Sequence, residues 1–350
     1  MNSYDTKPRA ARLAMLAAML LVAGAAAHAQ SSVTLYGILD AGVQYLTNAD
    51  GQHGAVRLQN YGVLPSQIGV TGTEDLGGGL QAIFKLEQGF NLNDGTPTVP
   101  GIAFFRGAYV GLAGNFGTAT IGRQFSVLFD KTVFFDPLFY ASYSGQAVLI
   151  PVASNFIDNA VKYKSREFGG FNFEALAATG GVAGNSRSGR VLEIGGEYSG
   201  TPVGVSAVLH QSYGTVSATA DTSGQHQIIG TLAAHWNINS LTLYGGAERQ
   251  TGSLAPSKTV AWGGARYQLA PDIGFAGGVY QTFSNTASVG NPTLFVASGT
   301  YNLSKRTAAY ANFGFSRNTA HSSQTVYEYD STVLNGASQF GAMVGVYHTF

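Results

Sequence analysis

The carboxyl-terminal segment 340–350 alternates between two kinds of side chain. One set of alternate positions is mostly apolar and consists of Phe340, Ala342, Val344, Val346, His348 and Phe350. The other set is small or polar and consists of Gly341, Met343, Gly345, Tyr347 and Thr349. Because successive side chains of a β-strand point to opposite faces, this segment predicts a strand with one apolar face. Similar segments of about ten residues recur along the chain, which is typical of a transmembrane β-barrel.

The amino terminus has the three parts of a secretory signal peptide. In order, these are the basic residues Lys7, Arg9 and Arg12, the apolar run 13–26, and the small-x-small pattern Ala27-His28-Ala29. We therefore expect a signal peptide over residues 1–29, removed on export, and a single barrel domain over residues 30–350. The alternative is a membrane-anchor helix, but the apolar run is shorter than the ~20 residues that span a bilayer.

The composition favours a chain that exposes apolar surface to lipid. Only 11% of the residues are charged, against about a quarter in a typical soluble chain. No later apolar stretch is long enough to cross a membrane as a helix, so a membrane-spanning domain must close into a barrel to satisfy its backbone hydrogen bonds. Cysteine is absent, which excludes disulfide bonds and thiolate metal sites. We expect outer-membrane lipid as a partner, and no cofactor, metal site or nucleic-acid partner.

Sixteen strands are expected, joined by short links that alternate with longer polar ones. Short turns at one end and long loops at the other are typical of outer-membrane barrels. The longer links run around residues 47–64, 91–101, 180–189, 214–224 and 318–336. The expected strands are 33–45, 67–74, 80–90, 105–112, 118–125, 159–166, 171–179, 191–199, 203–213, 225–236, 241–250, 259–269, 273–283, 293–302, 306–317 and 337–350.

The number of strands decides what such a barrel can do. A barrel of about 8 strands is filled by side chains, whereas 16 to 18 strands leave an aqueous channel. The expected inner faces are polar, as in Gln227, Thr231 and His235, which alternate with apolar neighbours. The fold class predicted is therefore all-β, a 16-stranded antiparallel transmembrane β-barrel around water.

One long link, between Phe125 and Asn159, is unusually aromatic. Long loops inside a compact unit are uncommon unless they are functional, and aromatic rings favour a packed environment. We expect this third long loop to fold inward and narrow the channel. The alternatives are an unrecognised hairpin and a loop that lies over the rim. Its aromatic residues are Phe129, Phe134, Phe135, Phe139, Tyr140 and Tyr143.

Charged residues on the loop and on nearby strands predict a pore constriction. A Lys or Arg that faces lipid at mid-membrane costs about 2–4 kcal/mol, so alternation places the basic side chains inward. Acids on the loop opposite bases on the wall would create a transverse field that sorts ions. Ordinary solvation of the lumen is the alternative, because other acids share that face and nearly balance the charge. The predicted constriction residues are Lys85, Arg106, Arg123, Lys162 and Lys164 on the wall, and Asp130 and Asp136 on the loop. The other acids are Asp40, Glu87, Glu174, Glu193, Glu197 and Glu248.

Several short motifs occur along the whole chain after the signal peptide. They are 32–37 (SVTLYG) with Asp40, 69–76 (GVTGTEDL), 108–112 (AYVGL), 116–124 (FGTATIGRQ), 158–165 (DNAVKYKS) and the terminal Phe350. Together they resemble the general diffusion porins of Gram-negative outer membranes, in their beta-proteobacterial branch. The departures from the family pattern are the segment 150–157, which lacks an expected arginine, and His348, which replaces an apolar residue in the terminal signal.

The resemblance implies a trimeric 16-stranded barrel whose third extracellular loop forms an eyelet inside it. It also implies passive passage of ions and small hydrophilic solutes through the outer membrane of a Gram-negative bacterium. By position, Arg106 and Arg123 correspond to basic wall residues of the family, and Asp130 and Asp136 fall in the acidic eyelet loop. Lys162 or Lys164 is the available substitute for the missing arginine.

Other functions remain as alternatives. A substrate-selective channel, for a sugar or a small anion, would use Phe134, Phe135, Phe139 and Tyr140 as an aromatic track. An outer-membrane enzyme lacks support, since neither G-x-S-x-G nor H-E-x-x-H occurs; we expect no catalytic residues. A secreted all-β adhesin would require polar outer faces. The sequence leaves open the ion preference, preferred solutes, voltage gating, external loop ligands and the trimer contact face.

Overall fold

The computed structural model describes residues 31–145, 147, 155–287, 289–327 and 333–350. The predicted signal peptide, residues 1–29, lies outside these residues. The described chain is mostly antiparallel strand. Its strands are β1 Ser32–Leu46, β2 Ala55–Asn60, β3 Gln67–Gly77, β4 Leu80–Gly89, β5 Gly107–Gly114, β6 Gly117–Phe125, β7 Phe156–Lys164, β8 Phe171–Ala178, β9 Val191–Ser199, β10 Val203–Tyr213, β11 His226–Ile238, β12 Leu241–Gly252, β13 Lys258–Ala270, β14 Ile273–Phe283, β15 Thr293–Asn302, β16 Thr307–Arg317 and β17 Gln339–Thr349.

The strands close into one barrel. From β3 onward each strand pairs antiparallel with the next, and β1 pairs with β17 to complete the circle. β2 pairs with the carboxyl-terminal half of β1, and β3 pairs with its amino-terminal half. β2 and β3 together therefore fill one position, and the barrel has 16. This confirms the predicted 16-stranded antiparallel barrel.

β2 corrects one detail of the sequence analysis. Residues 47–64 are predicted as a single long loop, but the structure forms a six-residue strand within it. The alternation there is short, and Tyr61 ends it with a backbone φ of 65°, a left-handed conformation that interrupts a ladder. β7 also begins earlier than predicted, at Phe156.

The interruption between β2 and β3, residues 61–66, is held by a buried carboxylate on β1. Asp40 accepts hydrogen bonds from the N–H groups of Gly62, Val63 and Leu64 at 3.2, 2.8 and 2.8 Å. The hydroxyl of Tyr310 on β16 donates a fourth, at 2.6 Å. Because the ladder cannot satisfy these amides, the carboxylate takes its place.

Alternate side chains give the strands an apolar face and a polar face. The apolar face exposes many large side chains, as expected for a surface that meets lipid instead of water. Examples on it are Leu35, Val110, Ile121, Ile194, Leu232 and Val344. The polar face carries buried Asp40, Gln44, Glu87, Thr120 and Glu174. Among the described residues, no helix has the length and apolar character needed to cross a membrane.

Residues 126–155 form the link between β6 and β7, called here the β6–β7 segment. It begins with the helix α1, Val127–Thr132, and a 3-10 turn, Val133–Phe135. Ser126 caps α1 by accepting the N–H of Phe129 at 2.9 Å. α1 packs mainly against β9 and β10, and the 3-10 turn packs against β11 and β12.

Candidate functional site

Four of the predicted basic residues and one predicted acid line a single cavity. Lys85 lies on β4, Lys162 and Lys164 lie on β7, and Arg106 lies in the turn directly before β5. Asp130 reaches the same cavity from α1. The cavity measures about 220 Å³, and we call it the basic cavity. The structure therefore brings five of the seven predicted site residues together.

Glu87 organises one side of the basic cavity. Its carboxylate lies 2.9 Å from Lys85 Nζ and 3.1 Å from Arg106 Nε. The hydroxyl of Tyr36 and the amide of Gln67 also donate to it, at 2.5 and 3.1 Å. Glu87 is almost fully buried, so it neutralises part of the basic charge from beneath without itself lining the cavity.

Glu174 organises the other side, where three lysines converge on one buried carboxylate. Its oxygens lie 3.0 Å from Lys131 Nζ, 3.5 Å from Lys162 Nζ and 3.3 Å from Lys164 Nζ. Lys131 comes from α1, so this cluster ties the β6–β7 segment to β7 and β8. Lys162 also pairs with Asp130 and donates to the carbonyl of Phe125 at 3.1 Å.

Arg123 lies apart from the basic cavity, in contrast to the prediction. On the β5 side Arg123 is paired with Ala108. On the β7 side the register of the β6–β7 pairing shifts between Gly122 and Gln124. Its guanidinium bonds Asp158 at 2.5 Å and lies 4.9 Å from the ring centroid of Phe105. Along β6, Thr118, Thr120 and Gln124 line the basic cavity, so the regular alternation of faces puts Arg123 on the other side of the strand.

Asp136 also lies apart from the basic cavity, buried between the β6–β7 segment and β14. Its carboxylate accepts hydrogen bonds from the hydroxyls of Tyr280 and Ser144, and from the N–H of Tyr140 at 2.9 Å. Burial raises the pKa of Asp136, and the donated hydrogen bonds act in the opposite direction. Asp136 therefore anchors the segment and faces none of the predicted basic residues.

Arg266 on β13 is a basic residue that the sequence analysis missed. It donates to the carbonyl of Pro137 at 2.9 Å, and its guanidinium carbon lies 4.0 Å from the ring centroid of Phe139. It shares the polar face with Trp262, whose indole N–H donates to the carbonyl of Phe135 at 3.1 Å. Alternation along β13 gives Arg266 the inner face, but β13 is far from the β6–β7 segment in sequence, so no local pattern links the two.

The aromatic residues of the β6–β7 segment divide into packed and exposed ones. Tyr143 is fully buried and accepts the amide of Gln44 at 2.9 Å. Phe135 and Tyr140 are also buried, and the carbonyl of Tyr140 accepts the hydroxyl of Tyr61 from the β2–β3 interruption. The segment thus packs on the polar faces of strands on both sides of the barrel. Two rings, Phe134 and Phe139, stay exposed and meet edge to face at 5.8 Å.

In the described part of the chain, no three His, Asp or Glu side chains form a group that could hold a metal ion. The basic cavity is lined by charged groups from β4, β7, the turn before β5 and α1.

Comparisons with known proteins agree with this geometry. The profile described as Gram-negative porin matches residues 14–321. Outer membrane porin protein 32 of Delftia acidovorans is 32% identical over 359 aligned residues, which cover 96% of this chain and 99% of that protein. Major outer membrane protein P.IB of Neisseria gonorrhoeae is 27% identical, covering 82% of this chain and 89% of that protein.

A solved structure agrees as well. The anion-selective porin from Comamonas acidovorans superposes with a TM-score of 0.80 at 27% identity, covering 92% of this chain and all of that one. The fold and the relatives are those of outer-membrane channels rather than of enzymes. The chain therefore belongs to the Gram-negative porin family and is an outer-membrane channel protein.

Proposed function

We propose that the β6–β7 segment lies across the channel of this porin and narrows it to a selective constriction. The polar face of the strands would line the lumen, and the apolar face would meet lipid. The contacts of Phe135, Asp136 and Tyr143 with polar-face residues support this arrangement. Residues 61–66 add to the narrowing, since Tyr61 bonds the carbonyl of Tyr140. Ions and small hydrophilic solutes then diffuse passively through the remaining opening.

We further propose that the constriction prefers anions. The observation that carries this proposal is the lining of the basic cavity, where four basic side chains meet the single carboxylate of Asp130. The neutralising carboxylates Glu87 and Glu174 are 2% and 0% exposed, so they lie behind the basic groups as seen from the cavity. A passing anion meets the cations first. The solved relative from Comamonas acidovorans is named as anion-selective.

The test is planar-bilayer electrophysiology of the purified protein. Ohmic single-channel steps are expected from a water-filled pore. In a tenfold KCl gradient, the reversal potential is expected to have the sign of chloride preference. A reversal potential of the opposite sign would refute the anion preference, and folded protein without conductance would refute the open channel.

The alternative of a substrate-selective channel receives partial support from the exposed pair Phe134 and Phe139. Phe135 and Tyr140 are buried and serve packing, so an aromatic track of four rings is not supported. Saturable transport of a solute, measured by its block of the ionic current, would distinguish a selective channel from free diffusion.

Two further features are proposed, the first from the signal-peptide pattern and the second from the family. Cleavage after Ala29 would yield a chain that begins at Gln30, which amino-terminal sequencing of the outer-membrane protein would check. Assembly as a homotrimer would be checked by native mass spectrometry in detergent. A mass of one protomer under mild conditions would contradict the trimer.

A further inference from the structure

A second cavity lies on the polar face, away from the basic cavity. It measures about 310 Å³ and shares no lining residue with the basic cavity. Its walls come from β13, β14, β15 and β17, and the β6–β7 segment covers it. Gln268 and Asn302 lie close to the short turns that join β13 to β14 and β15 to β16. The cavity therefore lies toward the short-turn end, which is the periplasmic end of such barrels.

The lining of this cavity carries one charge. Arg266 is the sole Asp, Glu, Lys, Arg or His among its described lining residues. Asp136 lies next to Pro137 on the β6–β7 segment, but it is fully buried and its oxygens already accept hydrogen bonds from Tyr280, Ser144 and Tyr140. The positive charge of Arg266 is thus not neutralised by a carboxylate on the cavity side.

Arg266 is held in place with donors to spare. One N–H bonds the carbonyl of Pro137, and the guanidinium lies over the ring of Phe139. A guanidinium has five N–H donors, and the bond to Pro137 accounts for one of them. The planar group is therefore preorganised to bind a carboxylate through paired, charge-assisted hydrogen bonds.

The side chains around Arg266 in this cavity are apolar on one side and polar on the other. Val63, Leu138 and Phe139 supply an apolar wall beside Arg266, whereas Ser298 and Thr300 supply hydroxyls on the strand side. The cavity thus offers polar and apolar surface in comparable measure, and its volume lies at the lower end of the range of small-molecule sites. A ligand that fits has a negative group for Arg266 and an apolar body for the opposite wall.

We propose that this cavity is a binding site for small organic anions that carry a carboxylate on an apolar body, such as an aromatic carboxylate. Such a solute would pass the basic cavity and then bind at Arg266 on the periplasmic side before release. The proposal rests on the proposed channel, and it adds a solute class and a second site that the constriction alone does not provide.

Benzoate is the probe, and its block of the KCl current in planar bilayers is the measurement. Benzoate is expected to reduce the current in a saturable way. Formate, which lacks the apolar body, and benzyl alcohol, which lacks the charge, are expected to act weakly. Arg266→Gln is expected to raise the half-blocking benzoate concentration at least about tenfold, because it removes the charge from both hydrogen bonds and a single charge-assisted hydrogen bond contributes about a factor of ten or more.

Two further variants keep the test decisive. Arg249→Gln is the matched control, because Arg249 lies on the apolar face between the buried polar-face residues Glu248 and Gln250. Benzoate should block this variant at the same concentration as the wild type. Phe139→Leu keeps the charge and should weaken the benzoate block while leaving the formate effect unchanged, and it serves if Arg266→Gln fails to fold.

Equal benzoate block in wild type and Arg266→Gln would overturn the site. A linear, unsaturated effect of benzoate on the wild-type current would also overturn it. Both results leave the KCl conductance intact and are therefore distinct from a failure of the channel itself, in which the wild type would not conduct.

Discussion

Lys164→Gln should weaken the anion preference by an amount that the structure allows us to estimate. The Lys164 side chain is 56% exposed, so its field acts largely through water. At about 5 Å from a passing ion, two unit charges interact by about 0.8 kcal/mol in water. Screening at 0.1 M salt, with a Debye length of about 10 Å, reduces this to about 0.5 kcal/mol. The charge favours Cl⁻ and disfavours K⁺ alike, so the permeability ratio should change about fivefold.

The assay is the reversal potential of Lys164→Gln and wild type in KCl gradients of low and high mean concentration. The fivefold change is expected near 0.1 M and should fall to less than about twofold near 1 M, where the Debye length is about 3 Å. Folding should persist because Glu174 keeps Lys131 and Lys162. Arg249→Gln, on the apolar face, should leave the reversal potential unchanged. Identical reversal potentials for Lys164→Gln and wild type at 0.1 M would refute the reasoning.

Two substitutions test the groups behind the constriction. Glu87→Gln leaves Lys85 and Arg106 without their buried partner, so urea titration should show a loss of about 3–5 kcal/mol in unfolding free energy. The reversal potential should also shift toward chloride. An unchanged urea midpoint together with an unchanged reversal potential would contradict this role of Glu87. Trp262→Phe removes the hydrogen bond to the Phe135 carbonyl, which should cost about 1 kcal/mol and increase open-channel current noise; noise equal to that of wild type would show that this contact does not steady the segment.

The barrel could be predicted from the sequence because alternation of apolar and polar residues directly records which face of a strand meets lipid. At Arg123 the cost of a lipid-facing charge favours the inner face, but Thr118, Thr120 and Gln124 line the basic cavity, so alternation along β6 gives Arg123 the opposite face. The rule itself fails where the backbone leaves the regular ladder. At Tyr61 a left-handed residue ends β2 after six residues, and a strand so short resembles loop sequence.

The site could be predicted only in part, because it depends on contacts between distant segments. Alternation placed Lys85, Lys162 and Lys164 on one face, and the structure brings them to one cavity. Nothing local in the sequence records that Asp136 bonds Tyr280, which is 144 positions away. The pairing of Arg266 with Pro137 and Phe139 likewise depends on the path of the β6–β7 segment across the sheet.

The most direct test of the central claim is modification of a cysteine placed on the β6–β7 segment. The natural chain has no cysteine, so Asp130→Cys gives a single reactive thiol in the basic cavity, and Thr219→Cys in an exposed loop gives the control. Modification of Asp130→Cys by a methanethiosulfonate reagent during bilayer recording should lower the single-channel conductance, whereas modification of Thr219→Cys should not. Complete labelling of Asp130→Cys with an unchanged current would place the segment outside the path of the ions and contradict the account.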